Sequence, residues 1–274
     1  MERIFATPEP IALNVEVGRG SIRVEAAERD STVVRVVGPR ADQVQVTHQG
    51  DRVDVVAPKN WFGFGPQTEQ AVEVVVTVPA DSVVSLRSHR ADISTDGPLR
   101  GVAVGTGSGA VRIGGPTGWA KIGTGTGNIT MTEGSGELRL KSATGAIQLE
   151  RVESSANIST GSGNVTLGRT SGPVEITTGS GDLEVAESGA DLSMATGSGD
   201  VRVRRAVRGR LTLRNASGNM QIGVASGTPV WTDIATSSGR IASDLPSTGE
   251  PAAGQEFIEL RARSVSGTIS LVQV

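Results

Sequence analysis

The chain has 274 residues, a formal net charge of −3, 37 glycines, only 3% aromatic residues, and neither cysteine nor tyrosine. The missing cysteine excludes disulfides, thiolate metal sites, iron–sulfur clusters and cysteine nucleophiles, and two well-separated histidines, His48 and His89, exclude a multi-histidine centre. The weak negative charge gives no electrostatic case for nucleic acid or an anionic membrane, and a core has to be built from Val, Ile, Leu and Ala.

The first residues, Met-Glu-Arg-Ile-Phe-Ala-Thr-Pro, lack the apolar run of a secretory signal, so a cytoplasmic location is the expectation. Period-two alternation predicts strands at 11–17, 21–26, 32–37, 43–47 and 72–78, with His48-Gln49-Gly50-Asp51 as a hairpin turn before Val53 and Val55. Trp61, Phe62 and Phe64 then stand in one glycine-flanked segment. Exposed, these aromatics would anchor a partner or a membrane interface. Folded back, they would plug the end of a repeat stack, and this role is favoured because such ends need cover. Further on, Ser88, His89 and Asp92 supply the three groups of a hydrolytic triad, but a strand throws 88 and 92 to one face and 89 to the other.

From 102 to 222 apolar pairs flank single outward residues every nine positions: Val102/Val104, Val111/Ile113, Ala120/Ile122, Ile129/Met131, and onward to Val201/Val203. After one inserted residue the series resumes at Leu211/Leu213 and Met220/Ile222. Glycines 109, 127, 145, 163, 181 and 199, each preceded by serine or threonine, mark every second connection, whereas the intervening connections are irregular and carry Pro98, Pro116 and Pro173, so the true unit is about eighteen residues. Like turns at every second strand are not explained by a flat antiparallel meander. They are explained by an all-β, parallel β-solenoid (β-helix) with two strands per coil, stacked at ~4.8 Å. The expected organisation is an irregular N-terminal β cap over 1–90, a regular solenoid over 91–222, and C-terminal strands and cap over 223–274, all in one structural domain.

The recurring Thr-Gly-Ser-Gly-Asp/Asn-apolar-x-apolar unit at 160–167, 178–185 and 196–203, behind a Thr7-Pro8-Glu9-Pro10-Ile11 opening, resembles a bacterial family of β-strand-repeat proteins of unknown function called "putative adhesins". The resemblance covers nearly the whole chain. It implies a β-solenoid and a bacterial, actinobacterial source, and it brings no catalytic residues.

Two hydroxyl series follow from the repeat. Thr106, Thr124, Ser142, Thr160, Thr178 and Thr196 stand eighteen apart, and Ser108, Thr126, Thr144, Ser162, Ser180 and Ser198 follow two residues later. On an outer edge such a lattice could meet ice or a glycan; glycine between and after the hydroxyls favours turn hydrogen bonds instead. Asn164, Asp182, Asp200 and Asn219 form a third series. A weak calcium site at the two aspartates is weighed against side chains that bond their own turns, and Ala110, Asn128 and Ala146 break the ligand set. Central outward positions such as Arg112, Lys121, Arg139, Glu175, Glu184 and Arg202 mix both signs, as on a solvated sheet face. Leu-Pro-Ser-Thr-Gly at 245–249 matches a sortase pentapeptide but is followed by no apolar span, so it reads as a surface loop.

These features predict a non-catalytic β-solenoid scaffold or interaction protein of unknown partner, with no cofactor, no metal and no integral membrane segment. The alternatives are a surface adhesin binding glycan or matrix, and a self-assembling, filament-forming solenoid. The candidate interaction residues are Trp61, Phe62, Phe64, Thr106, Thr124, Thr160, Thr178 and Thr196.

Overall fold

The eighteen-residue repeat becomes parallel strand register. In the computed structural model, residues 1–39, 41–58, 71–246 and 256–274 are described. They fall into two compact units, Met1–Glu137 and Leu138–Val274. In each unit, aliphatic residues spaced two apart point into the space between two sheets, because alternate side chains of a strand leave on the same side. The pairs read from the sequence, from Val102/Val104 to Met220/Ile222, are all at most 5% exposed. The fold is a parallel β-solenoid, and no α-helix occurs among the described residues.

The first unit contains β1 (Glu2–Ala6), β2 (Ala12–Ala27), β3 (Ser31–Val37), β4 (Gln45–Gln49), β5 (Arg52–Val56), β6 (Ala71–Pro79), β7 (Val83–Asp96), β8 (Leu99–Ser108), β9 (Val111–Thr126) and β10 (Ile129–Gly134). Its chain order is not its spatial order. On one side β2 pairs in parallel with β5 and β6, and on the other with β7, so the coil of residues 11–27 lies between the coils 52–79 and 83–96. Leu13, Val15, Ile22 and Val24 enter the core as the repeat residues do. The irregular strands lie beyond: β4 is antiparallel to β5, β3 to β6, and β1 to β3. The predicted hairpin is present, with Gln49 opposite Arg52 and a two-residue turn at Gly50 and Asp51. Antiparallel edge strands of this kind end each sheet without extending the parallel stack.

The second unit contains β11 (Leu138–Ser142), β12 (Ile147–Val152), β13 (Ala156–Ser162), β14 (Val165–Thr170), β15 (Val174–Ser180), β16 (Leu183–Ser188), β17 (Leu192–Ser198), β18 (Val201–Ala206), β19 (Gly209–Ser217), β20 (Met220–Val224), β21 (Val230–Ser238), β22 (Ile241–Ser243), β23 (Ile258–Ser266) and β24 (Ile269–Gln273). One sheet stacks Ala156, Val174, Leu192 and Leu211; the other stacks Ile147, Val165, Leu183, Val201 and Met220. At the end of this unit the chain again departs from sequence order. β23 pairs with β19 on one side and β21 on the other, and β24 lies in the same way between β20 and β22. The coil 258–273 therefore fills a gap between the coils 209–224 and 230–243, where a linear reading would have added 230–243 directly to 209–224.

The corner glycines are held by two constraints. Gly199 has φ +140°, and a Cβ there would lie 2.2 Å from the carbonyl oxygen of Gly181 one coil earlier. An alanine at 199 is thus strained and also pushes two coils apart. Gly199→Ala is expected to lower unfolding stability by about 1–3 kcal/mol. Ile176→Ala, which empties a fully buried core position, is expected to lower it by about 2–5 kcal/mol. Urea unfolding of both variants against the parent checks these values.

Candidate interaction site

The first hydroxyl series continues the inward alternation of each apolar pair, as in Ala156, Ile158 and Thr160. Its members therefore face inward at the corner. Thr106 and Thr124 in the first unit, and Ser142, Thr160, Thr178 and Thr196 in the second, are 3–7% exposed. Asn215 and Ser264 take the same place in later coils. The hydroxyls of Thr106, Thr178, Thr196 and Ser264 donate to the carbonyl oxygen two residues on, at 3.0–3.3 Å. Ser142 accepts the Gly145 N–H at 2.8 Å. The oxygens of Thr124 and Thr160 are shut from solvent with no hydrogen-bond partner. These side chains close the end of the apolar layer and present no lattice to a ligand. The outward hydroxyls are the next series, Ser162, Ser180, Ser198, Ser217, Ser266 and Ser238, paired in register from coil to coil. Trp61, Phe62 and Phe64 lie outside the described residues, as do 247–249 of the sortase-like match.

The Asx series does something local turn chemistry does not require. Each Oδ1 accepts a backbone N–H from the following coil: Asn164 from Asp182 at 3.0 Å, Asp182 from Asp200 at 2.9 Å, and Asp200 from Asn219 at 2.7 Å. Asn219 accepts from Thr268 at 3.0 Å, and in the first unit Asp92 accepts from Ala110 at 2.8 Å. Each side chain thus caps its neighbour's turn, and one oxygen of each aspartate is already engaged. Ser88 and Asp92, which strand alternation predicts on the face opposite His89, are likewise committed elsewhere. Ser88 donates to the Thr106 hydroxyl at 2.8 Å, and Asp92 serves the Ala110 amide. Among the described residues no group of three or more His, Asp or Glu side chains is placed to hold a metal ion, and no helix is long and apolar enough to cross a membrane.

The least covered part of the second unit is its outermost coil, 230–243. Trp231 is 53% exposed and Ile241 47%, whereas Ile258, Leu260 and Ile269 in the neighbouring coil are fully buried. A cavity of about 540 Å³ opens here, lined by Val224, Val230, Ile234, Ile241, Leu245 and Leu271 among others. It is the mouth of the core, since Val230 and Ile234 occupy inward register positions beside Ile258 and Ala262. Among the described residues β21 has one strand neighbour and β22 one, so the outer backbone edge of this coil carries no ladder partner. On the outer face the Arg261 guanidinium lies 6.0 Å from the Trp231 ring centre, and Arg263 binds Asp233 at 2.6 Å. A shallower hollow at Asp191, Arg208, Arg210, Glu256, Phe257 and Glu259 has its charges paired internally, with Arg208 on Glu256 and Arg210 on Glu259.

Two expectations follow. Asp200→Ala removes the acceptor for the Asn219 amide and should lower stability by about 0.5–1.5 kcal/mol, while Asp200→Asn, which keeps Oδ1, should stay near the parent in the same unfolding assay. The hydrogen bond from Arg263, with the charges of Arg263 and Arg261, holds the Asp233 carboxyl below its usual pKa. A depressed carboxyl stabilises the fold above its unfolded pKa, and that contribution is lost as pH falls through the folded value. Protection of the amides across 230–238, measured relative to their intrinsic exchange at each pH, should therefore fall below the ordinary carboxylate range, and Asp233→Asn should flatten that dependence.

A family model described as Toastrack DUF4097 matches residues 11–271. No curated protein matches the chain. Among solved structures, a "putative adhesin" from Parabacteroides merdae ATCC 43184 is 11% identical with a TM-score of 0.47, the alignment covering 99% of this chain and 95% of that one. Another from Bacteroides fragilis NCTC 9343 is 14% identical with a TM-score of 0.36, covering 99% and 96%. A "Putative lipid binding protein" from Parabacteroides distasonis ATCC 8503 is 12% identical with a TM-score of 0.43, again covering 99% and 96%. From the first inserted coil to the last, the chain belongs to the Toastrack DUF4097 family.

Proposed function

We propose that this protein is a non-catalytic interaction scaffold that receives an extended strand of a protein partner at the outermost coil, 230–243. The observation that carries this reading is the coincidence, at one place, of a backbone edge without a ladder partner among the described residues and an apolar mouth. An incoming strand that alternates apolar and polar residues would satisfy both, its backbone extending the ladder and its apolar side chains entering beside Ile234 and Ile241. The rest of the stack acts as a rigid mount. Adhesion to a glycan draws less support, because the first hydroxyl series is buried and a single outward serine series is left on that edge.

The test uses the full chain in its native host, with proximity cross-linking from the parent and from a Trp231→Lys/Ile241→Lys variant. Lysines on an edge strand disfavour strand addition while leaving the coil's own pairing intact. A partner captured by the parent, lost in the variant, and protecting the amides of 230–243 from exchange is the expected result. Equal capture by both proteins, or protection confined to another surface, overturns the reading. Cell fractionation with protease shaving of intact cells shows on which side of the envelope that partner is met.

A further inference from the structure

The coil 258–273 reaches its place from outside the sequential order of the stack. Residues 225–229 carry the chain from β20 past one vacant coil position to β21, and the vacancy is filled only by β23 and β24. Among the described residues, the strand pairing of β21 and β22 is entirely with this inserted segment.

The segment is a complete coil in itself. Ile258, Leu260 and Ala262 point inward, Ser264 closes the corner, Gly267 turns at φ +127°, and Ile269 and Leu271 complete the second sheet. It is held mainly by backbone ladders, inward aliphatic packing, the cap from Asn219 to the Thr268 amide, and rung-to-rung ion pairs of Arg210 with Glu259 and Asp233 with Arg263. None of these depends on the segment belonging to the same chain. Residues 244–257 tether it to β22, a length that spans up to about 46 Å when extended, at ~3.3 Å per residue. That is enough to reach a neighbouring molecule. The adjoining coil 230–243 is the most exposed in the unit, and poorly covered edge elements open before the body of a fold does.

We propose that the slot between coils 209–224 and 230–243 is a homotypic docking site, and that residues 256–274 of one copy exchange into the slot of a second to give a strand-swapped dimer. The swapped form keeps every contact of the closed form, so its population is set by protein concentration and by how readily the edge coil opens. This inference rests on the strand order and is independent of the outer-edge reading above.

The natural chain has no cysteine, which makes a disulfide assay clean. Ser217 and Ser266 are register partners on β19 and β23, and neighbouring in-register strands bring Cα atoms within disulfide range. Full-length Ser217→Cys and Ser266→Cys, carrying tags of different size, are mixed at high concentration, warmed below the main unfolding transition, cooled and oxidised. A 217–266 interchain link that exceeds both homotypic links and rises with concentration is the expected result. Its absence, or a yield no greater than the 217–217 link, overturns the proposal. The double variant Ser217→Cys/Ser266→Cys, oxidised while dilute, locks the segment in its own chain. That lock should abolish the concentration-dependent dimer in light scattering, and a dimer that persists despite it also overturns the proposal.

Discussion

The parallel backbone ladder, repeated at an offset of eighteen residues through the regular coils, is the constraint on which the rest of this protein depends. Once Ile147, Val165, Leu183 and Val201 must lie side by side, every other position in the repeat is assigned a fixed environment. Inward positions become aliphatic, since a slip of one residue would turn each side chain to the opposite face. Corners narrow to glycine, because the carbonyl of the coil before occupies the space a Cβ would need. Outward charges find partners along the stack: Glu187 lies between Arg169 and Arg205, one coil away on either side, and binds both. Each such pair is exposed and contributes little alone. Glu187 nonetheless separates Arg169 from Arg205, whose like charges would repel on adjacent rungs.

Much of this was legible because the information is local and repeated. Two apolar residues around one outward residue, in the same phase for coil after coil, specify strand, face and core together. The first hydroxyl series reads as turn hydrogen bonds, which Thr106, Thr178 and Thr196 make, but its burial is harder to read: Thr160 lies two residues beyond Ile158 and so obeys the same inward alternation, yet it is a residue type common in turns. The signal was present in the phase and obscured by the residue type. The Asx caps were anticipated as local bonds, whereas their partners lie one coil away, a separation that turn chemistry does not encode. The two inserted coils left no trace of their position. Leu13 and Val15, or Leu260 and Ala262, alternate as any other rung does, and nothing in them states which rungs they separate. The aromatic segment at Trp61, Phe62 and Phe64 falls outside the described residues, so the plug expected there plays no part in the account of the site.

A repetitive fold also restricts where function can reside. The interior is filled by side chains whose role is exhausted by packing, and the corner polar groups are spent on neighbouring turns. Chemical individuality is greatest where the repeat stops: among the described residues of the second unit, the outermost coil combines a backbone edge without a ladder partner, a view into the core, and the outward cluster of Trp231, Arg261, Asp233 and Arg263. The interaction assigned to this end follows from that contrast.

The skipped coil position has a consequence for biosynthesis. During translation residues 230–243 emerge before 258–273, and chains begin to fold from the N-terminal side as they are made. The stack through 209–224 can therefore assemble rung by rung, while the next stretch of polypeptide has no neighbour to register against until a later one arrives. Completion of this end is a single late event instead of the last of many similar steps. In that interval a nascent chain exposes two half-built strand edges, which makes this juncture one where chaperone protection matters.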